Sequence, residues 1–94
     1  MATVYILYSA ILKKYYIGSC ADFTERFRQH QEGFFSDSFT EKANDWEVFY
    51  LLDGLTYSQS RKIELHIKKM KSKKYIQNLK NYPEIAEKLK ALYD

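Results

Sequence analysis

Apolar and polar positions along the chain change period several times, and each change marks an element. Residues 3–9 read TVYILYS, a short run rich in β-branched and aromatic side chains, which is the composition of a strand. A five-residue connection, AILKK, leads to a second such run, YYIGSC at 15–20. A link that short predicts an antiparallel hairpin. The spacing then becomes helical, with Phe23 and Phe27 one turn apart, Asp22 as N-cap and Glu25 as its reciprocal partner. This helix is expected over 22–31, ending at Gly33. Residues 34–45, FFSDSFTEKAND, read as a polar loop whose Phe34, Phe35 and Phe39 suit packing over a core edge ahead of a substrate-side clamp or a dimer contact. WEVFYLL at 46–52 is a third strand, closed by Asp53-Gly54. Thr56 and Gln59 form a capping box for a helix over 57–70 with Ile63, Ile67 and Met70 as its core stripe. A helical turn follows near 73–80, and Asn81-Tyr82 break the chain before a last helix, 83–92, with proline at its first position.

The order ββαβα plus C-terminal helices describes an α+β fold, a three-stranded antiparallel sheet flanked by helices, with residues 1–94 forming one domain. A hydrophobic content of 46%, with nine Tyr, six Phe and one Trp, is enough for a packed core and argues against disorder. No apolar run approaches the ~20 residues of a bilayer span, so no membrane is expected. The opening MATVYILYSA lacks the basic head of a signal peptide and reads as a first strand. The single cysteine, Cys20, reads as a strand filler and suits a reducing cytoplasm.

Charge adds an asymmetry that the net value of +3 hides. Residues 1–47 carry five basic and seven acidic side chains, whereas 48–94 carry ten and five. Residues 61–80 hold eight basic side chains against one acid, Glu64. A concentrated cationic stripe on a near-neutral body points to a polyanion. For a single charge run a solvated, Lys-rich helix face is the commoner reading.

Candidate chemistry follows from geometry. Alternate strand residues share a face, so Tyr5 lies with Thr3 and Leu7, and Tyr16 with Gly18 and Cys20. Gly18 removes a side chain beside Tyr16, which permits close approach of a ligand or another backbone. Arg26 and His30 stack one turn apart at the border of the Phe23/Phe27 stripe, where a guanidinium is suited to a phosphate. Glu64 lies at the border of its own helix's stripe. It can pair with Lys68 at i, i+4, worth ~0.3–0.5 kcal/mol, or hold a divalent cation whose remaining ligands are water and phosphate oxygens. Two histidines far apart and one cysteine give no zinc spacing.

These residues in this order resemble the GIY-YIG nuclease superfamily. TVY is followed after ten residues by YIG, Arg26 lies eight residues beyond Gly18, His30 four further on, and Glu64 on the next long helix. The nearest likeness is to small stand-alone bacterial members. The resemblance implies a metal-dependent endonuclease of DNA repair or recombination, with Tyr5, Tyr16, Gly18, Arg26, His30 and Glu64 in the active site and one Mg²⁺ or Mn²⁺ on Glu64. Arg26 would neutralise the scissile phosphate. Tyr5 would help deprotonate or orient the attacking water, with His30 as an alternative base or relay. Lys68, Lys69, Lys71, Lys73, Lys74 and Asn78 would contact nucleic acid, DNA ahead of RNA. Two features depart from the family pattern: Thr3-Val4-Tyr5 lacks the first-motif glycine, and Ser19 stands where many nucleases place a basic residue. With no DNA-binding domain beside it, the chain is expected to show little sequence specificity. The competing reading is a non-catalytic nucleic-acid-binding or partner-docking module on the same fold.

Overall fold

β1 (Ala2–Ser9) and β2 (Lys14–Cys20) pair antiparallel from Thr3↔Cys20 to Ser9↔Lys14, forming the expected hairpin through residues 10–13. The computed structural model describes residues 1–32 and 45–94, and the side chains of all of these except 29–32. The loop phenylalanines and the helix end at Gly33 lie outside the described residues. β3 (Glu47–Leu55) pairs antiparallel with the other side of β1, giving the strand order β2-β1-β3. Among the described residues four helices complete the α+β architecture: α1 (Phe23–Glu32), α2 (Tyr57–Met70), α3 (Lys73–Asn81) and α4 (Pro83–Leu92).

Being central, β1 is buried on both faces. Val4 and Ile6 pack with Leu52 and Leu55 against Ile63 and Ile67 of α2, Ile76 and Leu79 of α3, and Ala86 and Leu89 of α4. Each Val, Leu or Ile side chain in this cluster contributes roughly 1.5–3 kcal/mol by leaving water. On the opposite face Tyr5, Leu7, Cys20 and Trp46 form a second cluster under Phe23 and Phe27 of α1. The two α1 rings stack at 5.6 Å and 18°.

Local chemistry sets most boundaries. Asp22 Oδ1 accepts from Glu25 N and caps α1, while the Glu25 carboxylate pairs with Arg28. Thr56 and Gln59 form the full reciprocal box at α2, and Ser72 caps α3. β3 is longer than expected. Ala2 pairs with Leu55 but Val4 with Leu52, so an extra residue is absorbed near Asp53-Gly54, with Gly54 at φ 72°. This bulge needs a left-handed residue, which glycine supplies without steric cost, and pairing resumes beyond it. Trp46 precedes the strand and is only 1% exposed. Met70 leaves the expected core stripe and is 44% exposed. It is the last residue of α2, ahead of Lys71 in the left-handed conformation, and Ile76 of α3 takes the next core position.

The hairpin turn is tied down by Asp45, whose carboxylate accepts from Ser9 Oγ at 2.6 Å and from Ile11 N at 2.9 Å. The Ser9 hydroxyl, followed by the Ile11 amide, holds the Asp45 carboxyl below the usual range. A depressed carboxyl stabilises the fold above its unfolded pKa of about 4, and that contribution is lost as pH falls through the folded value. Asp45→Asn is therefore expected to lose less Tm than the wild type between about pH 5 and about pH 3. Thermal melts across that range check this.

Candidate active site

Tyr5 reaches the site by crossing its neighbour. It sits on the central strand directly opposite Gly18 of the edge strand β2. A Cβ built on Gly18 would lie 2.5 Å from both Cζ and Oη of Tyr5. The space that the missing side chain leaves is therefore filled by the Tyr5 phenol, and the expectation of room for a ligand or another backbone is corrected on this point. The ring passes over β2 towards the outer margin of the sheet. Tyr16 stacks on it at 6.4 Å and 25°, and Phe23 tilts against it at 5.4 Å.

At that margin lies a cleft of about 390 Å³. Tyr5, Tyr16, Gly18, Arg26 and Glu64 all line it, brought from β1, β2, α1 and α2. The Glu64 side chain is 14% exposed, and its Oε2 pairs with Lys68 Nζ at 2.6 Å. Its Oε1 accepts a hydrogen bond from Ser19 Oγ at 2.5 Å. The i, i+4 ion pair thus exists, and the carboxylate still borders the cleft. Because Lys68 is half exposed, the pair contributes only a few tenths of a kcal/mol. Arg26 is partly buried beside the Phe23/Phe27 stack, on the core border where its spacing put it.

Five lining residues were not among the expected site: Ser19, Cys20, Ala21, Tyr57 and Arg61. Ser19, noted only as a departure, positions the Glu64 carboxylate. Tyr57 and Arg61 line the cleft, and Arg61 Nη1 donates to Tyr57 Oη at 3.4 Å. Both could have been found, because Tyr57, Arg61, Glu64 and Lys68 recur at i, i+4, i+7 and i+11 and share one helix face. Arg61 brings to the cleft a cation that position 19 does not supply. The backbone of His30 belongs to α1, and its side chain lies outside the described residues. Asn78 does not line the cleft. It is half-buried on α3, where its carbonyl accepts from Tyr82 N. Of the expected nucleic-acid contacts, Lys68, Lys71 and Lys73 border a neighbouring groove, which Lys69 and Lys74 do not line.

Burial pushes the Tyr5 phenol well above its usual range near 10, Tyr16, Cys20 and Glu64 add to the rise, and Arg26 opposes it. The Tyr5 phenol accordingly stays protonated in the fold at physiological pH. Burial likewise raises the Cys20 thiol, against the opposing pull of Arg26, which leaves it unreactive. A phenol raised in the fold contributes stability that is complete below its unfolded pKa of about 10 and is lost as pH climbs towards the folded value. Tyr5→Phe should therefore flatten the decline in stability above about pH 10, as read by denaturant melts.

The oxygen donors of the cleft are one carboxylate, three phenols and the Ser19 hydroxyl. Among the described residues no group of three or more His, Cys, Asp and Glu could hold a metal, and His66 is engaged with Tyr93 Oη at 2.8 Å. Such a set suits a hard cation that keeps most of its ligands as water and substrate oxygens. No described helix is long and apolar enough to cross a membrane.

No curated protein and no solved structure matches this chain significantly. A family model described as the GIY-YIG catalytic domain matches residues 1–80, which takes in the whole sheet, the cleft and almost all of α3. The chain therefore belongs to the GIY-YIG family of nuclease-type catalytic domains, whose substrate is nucleic acid.

Proposed function

We propose that residues 1–94 act as one catalytic unit, an endonuclease that hydrolyses phosphodiester bonds with little sequence specificity, DNA ahead of RNA, using one Mg²⁺ or Mn²⁺ on Glu64. The observation that carries this reading is the convergence of a carboxylate, two guanidinium groups and the tyrosine phenols on one cleft. Lone buried Cys20 suits work in a reducing cytoplasm.

Glu64 would hold the ion, and Ser19 keeps the carboxylate aimed while Lys68, half exposed, swings away at little cost. When bound, the ion would stabilise the leaving oxygen and the charge building on the phosphate. Arg26 neutralises the scissile phosphate, and Arg61 takes a second phosphate oxygen from the opposite wall. Protonated Tyr5 orients the attacking water or a phosphate oxygen by donating to it. Its raised phenol disfavours the base role, so proton removal falls to Tyr16 or His30.

One observation favours the second reading, a non-catalytic nucleic-acid-binding module: both Glu64 oxygens already have protein partners. The two readings part in a cleavage assay with labelled single-stranded, duplex and branched DNA and with RNA, in Mg²⁺ or Mn²⁺ and with a chelator. Chelator-sensitive cleavage is expected. Binding without any cleavage would establish the second reading.

A further inference from the structure

A larger groove of about 780 Å³ lies beside the cleft, between the β1–β2 turn and the α2–α3 junction. Its rim carries Lys13, Lys14, Lys68, Lys71 and Lys73, and among the described residues no acidic side chain lines it. Its floor is apolar, made by Tyr15, Ile17, Ile67 and Ile76 among others. Tyr15 packs 4.9 Å from the Tyr8 ring and 5.1 Å from Phe49. A shallow hollow formed by Tyr15, Tyr16, Ile17 and Lys68 joins this groove to the cleft, which shares Tyr16.

Local preference disfavours lysine at three of these five positions, Lys13, Lys71 and Lys73. Among the described residues the non-glycine positions with positive φ are Lys13, at 55°, and Lys71, at 48°. Both line the groove, and both sit where glycine would be less strained. Lys73 and Lys74 occupy the first turn of α3, which contains no acid. Cations are unfavourable at that end of the helix dipole. Lys73 Nζ in turn donates to the Lys13 carbonyl at 3.2 Å, tying the turn to the helix. Like charges crowded at strained positions weaken a fold on their own, and an anionic ligand relieves them.

We propose that this groove holds the unpaired strand flanking the scissile phosphate, so that the preferred substrate carries a single-stranded tail or gap beside the cut. The inference rests on the nuclease reading for the cleft that the strand enters. A duplex would satisfy the lysines but hides its base faces, leaving the apolar floor and Tyr15 unused. An unpaired strand presents phosphates to the rim and bases to the floor. Gly18 and Lys14 are four strand residues apart, about 13 Å. At about 3.4 Å per stacked nucleotide, that is a reach of about four nucleotides.

The test measures binding by fluorescence anisotropy in chelator, using duplexes whose tails grow from none to about eight nucleotides, in DNA and RNA arms. Affinity is expected to rise about tenfold or more by a tail of about four and then level off. The double variant Lys13→Gly/Lys71→Gly keeps the carbonyl that Lys73 holds and relaxes both strained positions. It should melt no lower than the wild type, lose most of the gain from the tail, and reduce the slope of log K against log salt by about 1.4. Indifference to tail length would overturn the proposal, as would a double variant that binds tails like the wild type. A poly-glutamate peptide bound more tightly than the tailed duplex would assign the groove to an acidic partner instead. Tail-dependent binding without cleavage in Mg²⁺ or Mn²⁺ would leave the groove standing and remove only the nuclease reading.

Discussion

Glu64→Gln is expected to slow cleavage by about three orders of magnitude while leaving nucleic-acid binding within about twofold. Losing the anchor for a divalent cation forfeits several kcal/mol of charge stabilisation at the phosphate, and each ~1.4 kcal/mol is tenfold in rate. Glutamine still offers Ser19 an oxygen to donate to, and the lost pair with half-exposed Lys68 is weak. The variant should therefore fold, with a Tm close to that of the wild type. Single-turnover cleavage, anisotropy binding and a thermal melt on the same preparations separate these effects. Wild-type cleavage by Glu64→Gln or Glu64→Ala would sink the assignment of the cation to this residue.

The second large effect comes from a single methyl group. Gly18→Ala would put a Cβ 2.5 Å from Cζ and Oη of Tyr5, and Tyr5 is 2% exposed and held between Tyr16 and Phe23. With no room to swing, ring or strand must shift, at about 1–3 kcal/mol for overpacking. In a domain of this size each kcal/mol lowers Tm by about 4–8 °C. The displaced phenol should also depress cleavage beyond what the unfolded fraction explains. Repeating Gly18→Ala in a Tyr5→Leu background checks the cause, since a smaller side chain removes the clash. A penalty unchanged between the two backgrounds would show that the phenol is not what requires glycine here.

Legibility in the sequence varied with the range of the interaction. The hairpin, the Thr56/Gln59 box and the proline-led α4 were all readable, since each is written in residues a few positions apart. Some of the side chains that face the cleft were readable singly: Tyr5 by alternation, Arg26 by its offset from Phe23 and Phe27, Glu64 as the lone acid within 61–80, whereas Tyr57 and Arg61 were passed over. The extent of β3 was not, because its bulge depends on how β1 registers against it. Nor were the partners of Glu64, since Ser19 is forty-five residues away. Lys13 and Lys14 belong to the half of the chain with an acidic balance, and only the docking of α3 beside their turn makes them part of a basic groove.

The chain alone determined the elements, their caps and the kinds of chemical group available, because periodicity and capping are satisfied within a turn of helix or a pair of adjacent strands. Tertiary packing decided which groups meet. A phenol on the central strand can reach an edge cleft only when the residue opposite has no side chain, and a carboxylate on α2 takes a hydroxyl on β2 as its partner across the fold. Those meetings depend on register and helix placement, which are set by burial across the whole sheet and leave no mark in any short stretch of sequence.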